Sequence, residues 1–181
     1  MSLFFYDMLP TCRSGFATGG VAMDNEAMEG VMLSARTAAR LAGRTCRTLQ
    51  RWCEEGALPS VAVNGKGKRM IPVDALAPLL PLPLDDGLRT LLGRVEGGDG
   101  EAALALGLML MEAGKGAPAL AWFQAAAEGG NADAMHWLYQ AYFQGLGTPR
   151  NRTLGIKWLA EAALRGHAIA LRQIEQLRLG P

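Results

Sequence analysis

Residues 33–73, LSARTAARLAGRTCRTLQRWCEEGALPSVAVNGKGKRMIPV, contain the pattern that decides the fold of the N-terminal half. Ser34 and Thr45 belong to the residue types that cap helix N-termini, and each precedes apolar residues at helical spacing. Gly43 separates the two runs, and Gly56 ends the second one. The stretch therefore predicts two short helices joined by a tight turn, which is a helix-turn-helix.

A β-hairpin is predicted directly after the second helix. Two short apolar runs, Val61–Val63 and Met70–Val73, flank the dipeptide Asn64-Gly65, which is the strongest short-range hairpin signal. Two helices followed by a hairpin is the element order of a winged helix-turn-helix.

The positive charge of the chain is concentrated in this module. Between Ser34 and Val73 there are eight cations and two anions, so the module carries +6 while the whole chain carries +1. The cations are Arg36, Arg40, Arg44, Arg47, Arg51, Lys66, Lys68 and Arg69. Such a concentration favours a polyanionic partner.

The same stretch resembles the winged helix-turn-helix of excisionases and MerR-type regulators. The residues that match are Leu33, Ser34, Ala38, Ala39, Gly43, Thr48, Leu49, Arg51, Trp52, Glu54, Gly56, Leu58 and Pro59. Arg44 departs from the pattern, since the family usually has a buried Val there. Either the Arg44 stem lies along the core with its guanidinium outside, or the turn differs locally.

The resemblance implies binding to double-stranded DNA with the second helix in the major groove. We expect Arg47, Gln50 and Arg51 to reach base edges, since they lie opposite Leu49 and Cys53. The remaining predicted contacts, to phosphates or along the wing, come from Arg36, Thr45, Thr48, Lys66, Lys68 and Arg69.

The C-terminal half repeats itself with a period in the thirties. Ala121–Asn131 recurs 36 residues later as Lys157–His167, and Asn131–Leu138 is similar to the block 32 residues earlier. A fixed period of this length predicts stacked helix pairs.

These repeats resemble the Sel1-like repeat, a relative of the tetratricopeptide repeat. The full copy matches at Ala134, Leu138, Tyr142, Gly145, Gly147, Trp158, Ala162, Ala163, Gly166 and Ala170, with Gly155 where the family usually has Ala. The preceding copy matches at Ala102, Leu106, Trp122, Ala126, Ala127 and Gly130, and it lacks four loop residues. The family forms helical solenoids that bind proteins, which implies a partner protein or a second copy. Trp137 and Tyr139 are candidate contact residues.

Four segments follow from these patterns. Residues 1–32 are expected to be an N-terminal extension that is partly ordered at best, and Met23, Met28 and Met32 are alternative starts. Residues 33–77 form the winged module, residues 78–86 a proline-rich joint and residues 87–181 the repeat domain. Asp74 is expected to cap a helical turn before the joint.

No catalytic chemistry is evident in the sequence. Phosphate-binding loop, nucleophile elbow and zinc-protease motifs are missing. Three cysteines, without Cys-x-x-Cys spacing, argue against a disulfide framework or structural zinc. We therefore predict a protein that is not an enzyme and has no cofactor and no metal. The N-terminus lacks the basic region of an export signal, so the expected location is the cytoplasm, without membrane contact.

The fold class predicted is mainly α, a winged helix-turn-helix followed by a short α-solenoid of Sel1-like helix pairs. The function predicted is a sequence-specific DNA-binding transcriptional regulator with a protein-interaction domain. Two alternatives remain open. One is a scaffold whose winged module does not bind DNA, and the other is a phage-type recombination directionality or architectural factor.

Overall fold

A computed structural model describes residues 30–63 and 68–178. This part of the chain is mainly helical, with a small antiparallel sheet near its N-terminal end and stacked helix pairs after it. The predicted fold class is therefore confirmed. Most of the predicted N-terminal extension lies outside the described residues.

The N-terminal module contains both predicted helices and both predicted strands. Its elements are β1 (Met32–Ser34), α1 (Ala35–Leu41), α2 (Cys46–Glu54), β2 (Val61–Val63) and β3 (Lys68–Pro72). The side-chain oxygens of Ser34 and Thr45 accept hydrogen bonds from the backbone N–H groups of Thr37 and Thr48, so both predicted caps are present. Arg44 is exposed in the turn between the helices, and its backbone N–H donates to the carbonyl of Ala39.

The three strands form one antiparallel sheet in the order β1-β3-β2. Val61 pairs with Met70 across the hairpin, and Leu33 pairs with Ile71 on the other side of β3. Leu33 and Ile71 are both fully buried. The strand β1 was not predicted, because three residues that end at a helix cap show no recognisable periodicity.

The segment after β3 is a 3-10 helix, Val73–Leu79, and it corrects the predicted cap. Its N-cap is Pro72, with no side-chain hydrogen bond, and Asp74 lies inside the first turn. The carboxylate of Asp74 instead accepts a hydrogen bond from the guanidinium of Arg89, at 2.6 Å. A charged partner draws the aspartate side chain away from the helix end.

Between residues 86 and 178, the repeat region contains six helices. They are α3 (Asp86–Glu96), α4 (Gly100–Glu112), α5 (Gly116–Glu128), α6 (Ala132–Gln144), α7 (Arg152–Leu164) and α8 (Ala168–Arg178). Each helix packs on the next along the chain, with the closest pairing between α4 and α5 and between α6 and α7. Helix α6 begins 32 residues after α4, and helix α7 begins 36 residues after α5, so the predicted offsets are those of the helices themselves.

Glycines allow the paired helices to approach closely. A Cβ on Gly107 of α4 would lie 2.5 Å from the ring of Phe123 on α5. A Cβ on Gly155 of α7 would lie 3.2 Å from the carbonyl oxygen of Tyr139 on α6. The departure from the repeat pattern at Gly155 therefore has a packing reason, since an alanine there would press on the α6 backbone.

The N-terminal module and the repeats are in direct contact. Strand β1 packs on α3, and α1 packs on α5. The hydroxyl of Ser34 donates to a carboxylate oxygen of Glu96 at 3.1 Å, and the guanidinium of Arg40 lies 5.6 Å from the ring centroid of Trp122. The predicted proline-rich joint thus connects two parts that also contact each other elsewhere.

Candidate nucleic-acid interface and repeat surface

The helix α2 has one buried side and one polar side. Leu49 and Cys53 are buried in the module core, whereas Arg47, Gln50 and Arg51 are exposed. Leu49 is followed four residues later by Cys53, so a single apolar stripe anchors the helix. The geometry leaves the three predicted base-contacting side chains accessible to a ligand.

The first turn of α2 is suited to an anion. Thr45 caps the helix, and its hydroxyl oxygen lies 2.9 Å from that of Thr48. One of the two hydroxyl hydrogens bridges this pair, which leaves the other free to donate to a phosphate. The positive end of the α2 dipole lies at the same point, and it favours an anion there.

The predicted cations differ in how strongly they are held. Arg51 lies 3.7 Å from Glu55, with both side chains largely exposed, so this ion pair is weak. Arg69 is half-buried and donates to the hydroxyl of Ser60 at 3.3 Å. Arg36 is exposed on α1. Arg40 faces the repeats and lies over Trp122, so it is not part of the exposed α2 surface.

The tip of the predicted wing lies partly outside the described residues. Lys66 belongs to the segment between β2 and β3 that the structure does not describe, and Lys68 is described only through its backbone, which pairs with Val63. The predicted roles of Lys66 and Lys68 in DNA binding therefore remain predictions.

The two candidate residues on the repeats have different surroundings. Trp137 is half-buried and stacks on Phe123, with ring centroids 5.7 Å apart. Tyr139 is also half-buried, and its ring is tilted against Phe143 at 5.4 Å. Trp137 therefore packs between α5 and α6, whereas Tyr139 packs on a residue of its own helix and lines a surface cleft.

A cleft between the last helices was not found from the sequence. It has a volume of about 270 Å³ and is lined by Tyr139, Phe143, Ile156, Gln173 and Gln176. Three helices contribute to it, so its residues are scattered along the chain. This volume is below the range of drug-sized ligand pockets, and it suits one or two side chains better than a cofactor.

The two histidines pack against each other at the start of α8. Their rings stack with centroids 4.5 Å apart. His167 accepts a hydrogen bond through Nδ1 from the backbone N–H of Ala170, so it caps α8, and its Nε2 lies 3.2 Å from a carboxylate oxygen of Asp133. His136 is buried, and this burial lowers its pKa.

The described part of the chain offers neither a cluster of metal-ligating side chains nor a helix that could cross a membrane. Within residues 30–63 and 68–178, no three His, Cys, Asp or Glu side chains come together in a way that could hold a metal ion. No helix in these same ranges is long and apolar enough to cross a bilayer.

Comparison of the sequence with models of known protein families finds no match, and comparison with curated proteins finds none either. Among solved structures, the crystal structure of a Sel1 repeat protein from Oxalobacter formigenes is similar to 57% of this chain, with 29% sequence identity and a TM-score of 0.46. The matched region covers 32% of that protein, so this chain spans about a third of its length.

Proposed function

We propose that this protein is a sequence-specific DNA-binding regulator whose repeat region binds a protein partner. The observation that carries the proposal is the exposed polar side of α2. Arg47, Gln50 and Arg51 are accessible there, while the opposite side of the helix is anchored by buried Leu49 and Cys53. Arginine and glutamine side chains in this arrangement are suited to hydrogen bonding with base edges in a major groove.

Charge supports the same proposal. The module carries +6, and Arg47 has no carboxylate within 4 Å among the described residues. An exposed cation without an internal partner loses little when it meets a phosphate or a base. The capped N-terminus of α2 adds a phosphate-binding position beside these side chains.

The experiment is a salt titration of the full chain with labelled duplex DNA of mixed sequence. Binding that weakens steeply as salt increases is expected, because each neutralised phosphate releases counterions and adds about 0.9 to the log–log slope. An absence of binding at low salt would refute the proposal.

The second candidate is a protein-interaction scaffold in which the module serves as a structural end of the repeats. It is favoured by the contacts that tie the module to the helices, namely Ser34 with Glu96 and Arg40 with Trp122. Trp122 is 1% exposed, and the in-register Trp158 is only half-buried. The module thus helps cover the N-terminal end of the helix stack whether or not it binds DNA. The salt titration distinguishes the DNA-binding regulator from the scaffold.

A further inference from the structure

The cleft between α6, α7 and α8 combines apolar walls with a cationic edge. Tyr139, Phe143 and Ile156 supply apolar surface, and Ile156 remains 46% exposed. Gln173 and Gln176 face them from α8. The amide of Gln176 offers both donors and an acceptor to an extended peptide backbone. The Oε1 atom of Gln173 already lies 3.2 Å from Nε2 of His136, so its NH2 group remains to donate.

Two arginines contact Phe143, which is one of the residues that line this cleft. The guanidinium carbons of Arg150 and Arg152 are 5.7 Å and 5.6 Å from the centroid of the Phe143 ring. Arg150 donates through Nε to the Phe143 carbonyl oxygen at 2.8 Å, so its orientation is fixed. Neither arginine has a carboxylate within 4 Å among the residues that the structure describes.

The N-terminus of α7 adds to the positive potential at this place. Arg152 is the first residue of α7, whose first turn has no acidic residue. The helices α4 and α6 have Glu101 and Asp133 in their first turns. A cation at a helix N-terminus is unfavourable by itself, and a bound anion would offset the positive end of the helix dipole together with the charge of Arg152.

We propose that this cleft binds an acidic segment of a partner protein, which inserts one apolar side chain against Tyr139 and Ile156 and places a carboxylate on Arg150 and Arg152. This inference rests on the protein-binding part of the proposed function and names the chemistry of the partner. The volume of about 270 Å³ fits one apolar side chain and its neighbours. Each guanidinium group supplies hydrogen-bond donors for a carboxylate.

A single-stranded nucleic acid fits the cleft less well. Base stacking needs a free aromatic face. The Phe143 ring already carries two guanidinium groups, and the tilted Tyr139 ring lies against it at 5.4 Å. The occupied ring favours a peptide that uses the arginines and the apolar wall.

The test is fluorescence anisotropy of the full chain with a short labelled peptide that has a central leucine between glutamates. Arg152→Glu is expected to weaken binding about ten- to a hundredfold, because it replaces a charge-assisted hydrogen bond with repulsion. Arg165→Glu is the matched control, since Arg165 is an exposed cation at the opposite end of α7, about 20 Å away. This control should bind as the unmodified chain does.

The apolar part is tested separately. Ile156→Ser, at a partly exposed position, should weaken the leucine peptide and have little effect on a peptide with serine at its centre. Circular dichroism of each variant verifies the helical fold. Equal binding by the Arg152→Glu and Arg165→Glu variants, or equal binding of both peptides, would overturn the proposal.

Two other possible occupants of the cleft, a nucleic acid and a second copy of the chain, are distinguished by separate measurements. Oligothymidylate binding that is lost in Arg152→Glu would replace the peptide with nucleic acid. A dimer in sedimentation that Ile156→Ser dissociates would assign the cleft to a second copy. Either result overturns the proposal, and neither affects duplex DNA binding through α2, which is measured independently on the same variants.

Discussion

The pair Gly107→Ala and Gly93→Ala tests how tightly the first helix pair is packed. Both glycines lie inside helices, where alanine is favoured over glycine by about 0.5–1 kcal/mol. A Cβ at Gly93 would meet the methyl groups of Val31 at 3.8 Å, an ordinary contact. A Cβ at Gly107 would lie 2.5 Å and 2.7 Å from two ring carbons of Phe123, which is fully buried and stacked on Trp137.

The two substitutions should therefore have opposite effects on the free energy of unfolding. Gly93→Ala should stabilise the chain by up to about 1 kcal/mol. Overpacking a buried ring costs about 1–3 kcal/mol, so Gly107→Ala should destabilise by up to about 2.5 kcal/mol after the helix propensity is subtracted. For a chain of this size, each 1 kcal/mol lost lowers Tm by roughly 2–4 °C.

The assay is thermal and urea unfolding followed by circular dichroism on both variants. The urea m-value should stay unchanged, because the surface exposed on unfolding is the same. If Gly107→Ala stabilised the chain as much as Gly93→Ala does, the close approach of α4 and α5 would be wrong.

The other predictions concern acid stability and the wing. Burial lowers the pKa of His136 below its ordinary value of 6.5. Below about pH 6.5 the unfolded chain therefore binds a proton at this residue that the folded chain does not. The free energy of unfolding should be highest above about pH 6.5 and decline as the pH falls below that value. His136→Gln keeps a hydrogen-bond donor for Gln173 and should reduce this decline in unfolding experiments between about pH 7 and 5. A decline of unchanged size in this variant would show that other groups cause it. The double variant in which both Lys66 and Lys68 are replaced by Ala should bind all duplexes more weakly to the same degree, with a log–log salt slope flatter by about 2. An altered sequence preference with an unchanged slope would contradict a phosphate-binding wing.

Local signals in the sequence predicted most of the fold. Ser34 and Thr45 could be recognised as caps because the bond that each makes is to a backbone N–H only three residues away. The offsets of 32 and 36 residues appeared because each helix pair buries the same positions, such as Ala102 and Ala134. Features of this kind depend on spacing alone.

Features that depend on distant residues were not predicted. Strand β1 exists because Leu33 pairs with Ile71, and Asp74 turns toward Arg89 and does not cap its own helix. The cleft needs side chains from three helices, and its cationic edge forms only where the loop before α7 folds back on Phe143. No period or short motif encodes such contacts, since each is a property of the packed chain.

The most direct test of the DNA-binding proposal compares Arg47→Ala with Arg172→Ala. Each variant removes one exposed arginine from a helix, so their effects on net charge are identical, but only Arg47 lies on α2. The measurement is the affinity of both variants and the unmodified chain for a duplex selected from a random pool, and for an unrelated duplex. We predict that Arg47→Ala costs about 1–3 kcal/mol on the selected duplex and less on the unrelated one, while Arg172→Ala changes neither. Equal losses for the two variants would contradict the assignment of α2 as the DNA-reading helix.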